Sequence, residues 1–126
     1  MASCHWGLGE VERLRNHDSD AETHYKAALE LFREAGNKSG EASCLWGCAE
    51  VERIRNRYSE AKKHYNDALP LFRNAQNKPG EALCLESSGD LCFEVARKRW
   101  EEALDIFKFI DNEASAHQVE MKLGRS

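Results

Sequence analysis

The sequence predicts an all-α fold: an α-solenoid of three antiparallel helix pairs followed by a C-terminal capping helix. The first observation is a repeat. Residues 3–42 align with residues 43–82 without a gap, and about 25 of the 40 aligned residues are identical. The second observation is that apolar residues recur at helical spacing within each unit, while no segment alternates apolar and polar residues as a strand does. An isolated helix pair cannot bury both of its apolar faces, so the copies are expected to stack.

Each unit contains two helical patterns joined by a short connection. Only "RNRYS" separates the two patterns of the second unit, which predicts an antiparallel pair. Between units, "GNKSGEA" and "QNKPGEA" supply glycine or asparagine to end one helix and a glutamate for the first turn of the next. The apolar positions of the second unit are Cys44, Cys48 and Val51 in its first helix and Ala61, Tyr65, Ala68 and Phe72 in its second.

The predicted organisation is one domain over residues 1–126. Repeat 1 occupies residues 1–37, repeat 2 residues 38–77, repeat 3 residues 78–111, and the capping helix residues 112–123. The third copy begins in register at "GEA" and then slips by two residues, so "FEVARKRW" is expected to be a longer connection between its two helices. Pro70 falls within the second helix of repeat 2, where it is expected to remove a backbone hydrogen bond and bend the helix.

A spacing shared by the two units resembles that of a known family. A small residue is followed after twelve positions by alanine, after four more by an aromatic residue, and after three more by alanine. These positions are Gly9, Ala21, Tyr25 and Ala28 in the first copy and Ala49, Ala61, Tyr65 and Ala68 in the second. The pattern resembles the tetratricopeptide repeat in its forty-residue variety, which occurs in adaptor proteins and in sensor regions of nucleotide-switch receptors. The resemblance implies that the first helices line a concave surface that holds peptides.

The chain departs from that family pattern in its first helices. His5 and Leu45 stand where the family usually has tryptophan, and the tryptophans follow one residue later. Glu12 and Glu52 stand where the family usually has a tyrosine.

One side of the first helices is the candidate binding site. At about 100° per residue, residues 46, 50 and 53 share one side of a helix, and the apolar residues gather on the other. Tryptophan is favoured in binding hot spots. The alternative, a duplicated face whose glutamate and arginine form surface ion pairs or pack between repeats, stays open. The predicted peptide-binding residues are Trp46, Glu50 and Arg53, with Trp6, Glu10 and Arg13 in the first copy and Glu86, Asp90 and Phe93 in the third.

These features predict a non-catalytic protein–protein interaction module that binds a peptide or helix of a partner on its concave face. Glu10, Glu50, Glu86 and Asp90 make that face acidic, so a ligand with apolar side chains and at least one lysine or arginine is expected. Two alternatives remain. The chain could form a homo-oligomer by end-to-end stacking through an unpaired first helix, or it could act only as a segment of a larger receptor or scaffold array.

Composition and motifs argue against other classes of function. The net charge of −4 disfavours nucleic-acid binding, and no apolar run approaches the roughly 20 residues that a membrane span needs. No secretory signal is visible and the five cysteines include no CxxC pair, which predicts reduced thiols in an intracellular, cytoplasmic protein. No nucleophile elbow, phosphate loop or HExxH motif is present, so neither an enzyme nor a cofactor is predicted. Cys44 and Cys48 are interpreted as interface-filling thiols rather than metal ligands, and His24 and His64 as structural residues.

Overall fold

The structure, a computed structural model, describes the backbone of residues 1–109 and 113–124 and the side chains of these residues except 107, 109, 113 and 114. Every regular element within these ranges is a helix, so the predicted all-α helical-repeat fold is confirmed. The helices are α1 (Ala2–Leu14), α2 (Asp18–Ala35), α3 (Lys38–Ile54), α4 (Tyr58–Asn74), α5 (Lys78–Phe109) and α6 (Glu113–Lys122).

The first four helices form two pairs with the same connection. Helix α1 packs on α2 and α3 packs on α4, while α2 also packs on α3 and joins one pair to the next. Asn16 and Asn56 lie in the connections with φ of 63°, in the left-handed region. Asparagine adopts this conformation more readily than most residues, so the repeated asparagine allows each first helix to end and the chain to reverse.

The connections between pairs also repeat, and they show why these helices begin where they do. The side-chain oxygens of Asn37 and Asn77 accept hydrogen bonds of 2.9 Å from the backbone N–H groups of Gly40 and Gly80. Each asparagine thereby satisfies a backbone donor that has no partner within the first turn of α3 or α5. The asparagine of the "NK" dipeptide is therefore an N-cap.

Gln76 lies in the left-handed region with φ of 57°, at the position where repeat 1 has Gly36 with φ of 70°. A residue with a β-carbon is disfavoured there by about 1 kcal/mol, whereas glycine is not. We therefore expect Gln76→Gly to raise the free energy of unfolding by about 0.5 kcal/mol, after the greater entropy of glycine in the unfolded chain is subtracted.

Urea denaturation would measure this change in stability. The control is Lys63→Gly, at an exposed position in the middle of α4, which should lower the free energy of unfolding by about 1 kcal/mol. An equal or lower stability for Gln76→Gly than for the parent chain would contradict the prediction.

The predicted connection within the third copy is wrong. Residues 93–100, "FEVARKRW", lie inside α5, which is one helix of 32 residues rather than a helix pair. The physical reason is local. Ala96 stands where the first two copies have Asn16 and Asn56, and alanine is the strongest helix former, with a cost for left-handed backbone. No residue at this point ends the helix.

Two remaining features of the helices bear on the predictions. Helix α4 continues through Pro70, from Tyr58 to Asn74. The predicted C-terminal helix is present as Glu113–Lys122, and residue 112 lies outside the described residues.

In the described part of the chain, no helix combines the length and the apolar character needed to cross a membrane.

The chain divides into two compact units, Met1–Gly89 and Asp90–Ser126. The first unit contains α1 to α4 and the beginning of α5, and its core forms where second helices meet first helices. One cluster there joins Ala21 and Tyr25 of α2 to Cys48 and Val51 of α3. In the second unit, the core cluster consists of Leu104, Ala116 and Val119, with Trp100, Ala103 and Leu123 packed against it.

Candidate functional site on the first helices

The predicted binding residues of repeat 1 form a hydrogen-bonded group with a tyrosine of α2. The Tyr25 hydroxyl donates to Glu10 Oε1, and Arg13 Nη2 donates to Glu10 Oε2 at 2.9 Å. Arg13 Nε also donates to the Tyr25 oxygen at 3.2 Å. Burial, together with the neighbouring Glu10 carboxylate, raises the pKa of Tyr25. Both oxygens of Glu10 are therefore engaged within the protein.

Repeat 2 builds the same group at the same spacing. The Tyr65 hydroxyl donates to Glu50 Oε1 at 2.6 Å, and Arg53 Nη2 donates to Glu50 Oε2 at 2.9 Å. Glu50 is only 6% exposed, so the prediction that it points away from the core is wrong. The reason is that Tyr65 reaches from α4 to the carboxylate, which a plot of one helix cannot show. Burial and the bond to Glu50 raise the pKa of Tyr65.

The two predicted tryptophan anchors are half-buried and lie against their neighbours. The guanidinium carbon of Arg13 lies 5.2 Å from the ring centroid of Trp46, a cation–π contact between α1 and α3. Trp46 Nε1 donates to the hydroxyl of Ser87 in α5 at 3.1 Å. Trp6 packs against the cluster around Tyr25, and its buried Nε1 has no hydrogen-bond partner among the described residues. Both indoles are thus held in place and leave part of each ring at the surface.

The predicted binding residues of the third copy are exposed, and they are divided between the two compact units. Glu86 is exposed and lies in the first unit, on the part of α5 that carries Ser87. Asp90 and Phe93 belong to the second unit, and both are exposed, Phe93 by 60%. The structure therefore brings the residues of α1 and α3 together in one unit, and the assignment of Asp90 and Phe93 to the same surface stays a prediction.

The histidines of the two repeats differ in their contacts. His64 Nδ1 lies 2.5 Å from Glu52 Oε1, an ion-pair contact between α4 and α3. Burial raises the pKa of Glu52 despite the opposing effect of His64. In repeat 1 the corresponding His24 instead lies with its ring centroid 5.9 Å from that of His5. These contacts are consistent with the structural role that the sequence predicted for His24 and His64.

One group of side chains has the spacing of metal ligands. Glu12, His17 and Asp20 bring one potential ligand atom each within 4.8 Å of one another. His17 Nδ1 lies 2.6 Å from Glu12 Oε2, so an ion pair already accounts for the closest contact. His17 and Asp20 are exposed, and exposed acidic groups often lie together without an ion.

The cysteines separate into buried and exposed thiols. Cys44, Cys48 and Cys84 are buried, as expected for thiols that fill helix interfaces, while Cys4 and Cys92 are exposed. Burial raises the pKa of Cys44 and of Cys48 from 9.0 to about 12. A thiol needs to ionise to react, so these two are protected both by burial and by protonation.

We expect a thiol reagent at pH 8 to modify Cys4 and Cys92 rapidly in the native protein and all five cysteines in denaturant. Mass spectrometry after brief labelling would identify the modified residues, and rapid labelling of Cys48 would contradict the burial.

The raised pKa of Cys44 and Cys48 also makes the stability of the fold depend on pH. Because the folded pKa of Cys44 and Cys48 lies above the unfolded value, their contribution is complete below about pH 9 and is lost as pH rises toward 12.

Sequence reasoning missed the tyrosine partners of the two glutamates. It placed Tyr25 and Tyr65 in the apolar stripe of the second helices and Glu10 and Glu50 on a separate surface. The signal that points to their contact is a constant separation of 15 residues between glutamate and tyrosine in both copies. Sequence reasoning also gave no role to Ser87, whose hydroxyl orients Trp46.

The repeated helix pairs and the duplicated Glu–Arg–Tyr groups define a helical-repeat protein of the class that generally serves as an interaction module. The family model for the tetratricopeptide repeat matches residues 1–74, which is more than half of the chain. The chain therefore belongs to the tetratricopeptide repeat family. A comparison with curated proteins found no match.

Proposed function

We propose that the chain is a non-catalytic adaptor or scaffold module that binds a peptide or helix of a partner protein on the face formed by its first helices. The observation that carries the proposal is the repetition of a partly exposed indole held in a fixed position. Trp46 is fixed by Arg13 on its ring and by Ser87 at its Nε1, and Trp6 is packed against the α2–α3 core cluster. A rigid aromatic side chain loses little conformational entropy on binding, which favours its use as an anchor.

The chemistry of the proposed ligand follows from what the face leaves exposed. Apolar side chains of the ligand would pack on the open parts of Trp6 and Trp46. Glu10 and Glu50 already bind tyrosine and arginine inside the protein, so they support the geometry rather than attract a cation. Glu86 is an exposed carboxylate in register with the two tryptophans, and we assign to it the recognition of a ligand lysine or arginine.

Peptides selected from a random displayed library on the full chain would test this function. We expect the enriched peptides to combine apolar residues with lysine or arginine. Glu86→Lys should weaken their binding at least tenfold, because the variant replaces attraction by repulsion at an exposed site. Glu34→Lys, which makes the same change at an exposed position of α2, is the matched control and should leave binding unchanged.

A second variant tests the contribution of the Trp6 indole to binding independently of the Glu86 carboxylate. Trp6→Ala should also weaken the selected peptides at least tenfold while circular dichroism confirms that the chain remains helical. Selected peptides that bind Glu86→Lys and Trp6→Ala as tightly as they bind the parent chain would place the binding surface elsewhere and overturn the proposal.

A further inference from the structure

The contact between the two helix pairs includes a serine hydroxyl that is held by an arginine. Arg55, the residue that follows α3, donates through Nη1 to Glu22 Oε2 at 3.0 Å. It donates through Nη2 to Ser19 Oγ at 2.8 Å. Ser19 and Glu22 both belong to α2. The two terminal nitrogens of one guanidinium therefore hold two side chains of the preceding repeat, one charged and one neutral.

The Ser19 hydroxyl is accessible and lies at the start of a helix. Ser19 is exposed and is the second residue of α2. In the first turn of a helix, the backbone N–H groups have no carbonyl partner within the helix, and negative charge is favoured next to them. A phosphate on Ser19 would therefore meet both a helix N-terminus and the guanidinium of Arg55.

The sequence that follows Ser19 is acidic at two spaced positions. Asp20 and Glu22 stand one and three positions after the serine. Serine kinases of the acid-directed class recognise carboxylates at these positions through basic residues of the substrate groove, which is a case of electrostatic complementarity. The exposed hydroxyl thus lies in a sequence that this class of kinase accepts.

Repeat 2 contains a matched serine without these features. Ser59 occupies the same position of α4, forty residues after Ser19, and it is also exposed. Lys62 stands three positions after it, where α2 has a glutamate. The residue forty positions after Arg55 is Val95, which has no charge. Ser59 therefore serves as the control for both the kinase and the arginine.

From these observations we infer that Ser19 is a phosphorylation site for an acid-directed serine kinase, and that the phosphate strengthens the contact with Arg55. In the transfer, Ser19 Oγ attacks the γ-phosphorus of ATP, the bond from that phosphorus to the β–γ bridging oxygen breaks, and ADP leaves. The hydroxyl proton passes to the catalytic base of the kinase. Neither Ser19 nor Arg55 is among the predicted peptide-binding residues, so the inference goes beyond the proposed function and does not depend on it.

The carboxylates near Ser19 oppose a phosphate, so the effect on stability depends on Arg55. Asp18 and Asp20 flank the serine, and Glu22 follows one turn later. Because Arg55 holds Glu22 and Ser19 with different nitrogens, a phosphate can take Nη2 without displacing the glutamate from Nη1. A hydrogen bond between a guanidinium and a phosphate is about twice as strong as one to a neutral acceptor. We therefore expect phosphorylation to stabilise the chain only where Arg55 is present.

Treatment of the folded full chain with casein kinase II, ATP and Mg²⁺ tests the site. Mass spectrometry of the digested product should find phosphate on Ser19, added about tenfold faster than on Ser59. Ser87 also has an acidic residue three positions after it, but it is 7% exposed and should stay unmodified in the folded chain. Glu22→Gln should slow the modification of Ser19 about tenfold, because it removes the recognised carboxylate.

Two results of the kinase experiment would overturn the inference. One is a Ser19 that stays unmodified in the folded chain, and the other is an equal rate at Ser19 and Ser59. The peptides selected on the first-helix face do not enter this measurement, so failure here and failure of the proposed function are distinguishable.

Urea denaturation of the singly phosphorylated chain tests the role of the arginine. Phosphorylation at Ser19 should lower the equilibrium constant for unfolding about threefold at a fixed urea concentration. The same comparison in the Arg55→Gln chain, which keeps the size of the side chain but not its charge, should show no decrease. No decrease in the parent chain, or an equal decrease in both chains, would overturn the inference that the phosphate acts through Arg55.

Discussion

Replacing Gly47 by alanine is expected to lower the free energy of unfolding by about 1–2 kcal/mol. The added methyl group would lie 2.6 Å from the ring of Tyr25, which is fully buried. A β-carbon at Gly9 would lie only 2.8 Å from the same ring, so the tyrosine cannot move away from α3 without meeting α1. Overpacking of this kind costs roughly 1–3 kcal/mol, and here it outweighs the approximately 1 kcal/mol by which alanine favours a helix over glycine.

The repeat supplies a matched control for this substitution. Gly7→Ala makes the same chemical change at the same helical position, and no described residue other than its chain neighbours and its own helix lies within 4 Å of the added methyl group. It should therefore leave stability unchanged or raise it by up to about 1 kcal/mol. Urea denaturation of both variants, followed by circular dichroism, would measure the difference. Equal effects of the two substitutions would mean that Tyr25 does not fix the distance between α2 and α3.

Removing the Glu50 carboxylate is expected to have an effect of similar or greater size. Glu50→Ala leaves the buried Tyr65 hydroxyl without its acceptor and removes the charge that faces Arg53. Together these losses cost about 3 kcal/mol, because the Tyr65 hydroxyl stays buried without its acceptor. The corresponding Glu10→Ala should cost less, about 1–2 kcal/mol, because the Glu10 side chain is 21% exposed and that of Glu50 is 8% exposed.

A double-mutant cycle would isolate the contact between the two side chains. Glu50→Gln and Tyr65→Phe, measured singly and together by urea denaturation, should show a coupling energy of about 1 kcal/mol or more. Additive effects would show that the 2.6 Å contact does not contribute to stability. A loss below about 1 kcal/mol for Glu50→Ala would contradict the buried network as a whole.

The fold could be predicted from the sequence because the signals that indicate each helix lie within a few residues of one another. Apolar residues at helical spacing, together with the asparagine and glycine that end and begin helices, indicate each element of the first two pairs without reference to its neighbours. In the third copy, too, a local residue indicates the observed structure. Ala96 replaces the repeated asparagine, and this local difference indicates a continuous α5, whereas alignment with the first two copies led to the wrong prediction of a connection.

The candidate site was predicted less completely, because a helical projection gives directions but not distances to other helices. It predicted that tryptophan, glutamate and arginine share one side of α1 and α3, and the structure shows the contact between glutamate and arginine in both helices. It did not show that Tyr65 crosses from α4 to Glu50 or that Arg13 covers one face of Trp46. Those contacts join residues 15 and 33 positions apart, and their existence depends on how closely the helices approach.

The sequence by itself determined that this protein is a helical repeat of the tetratricopeptide family, because periodicity and turn residues act over a few positions. Only the tertiary structure decided which repeated residues are supports and which are accessible. Glu10 and Glu50 became internal acceptors because tyrosines from the second helices lie next to them. Gly7 and Gly47 are the same residue in the same motif, and only the presence of Tyr25 beside one of them makes their environments different.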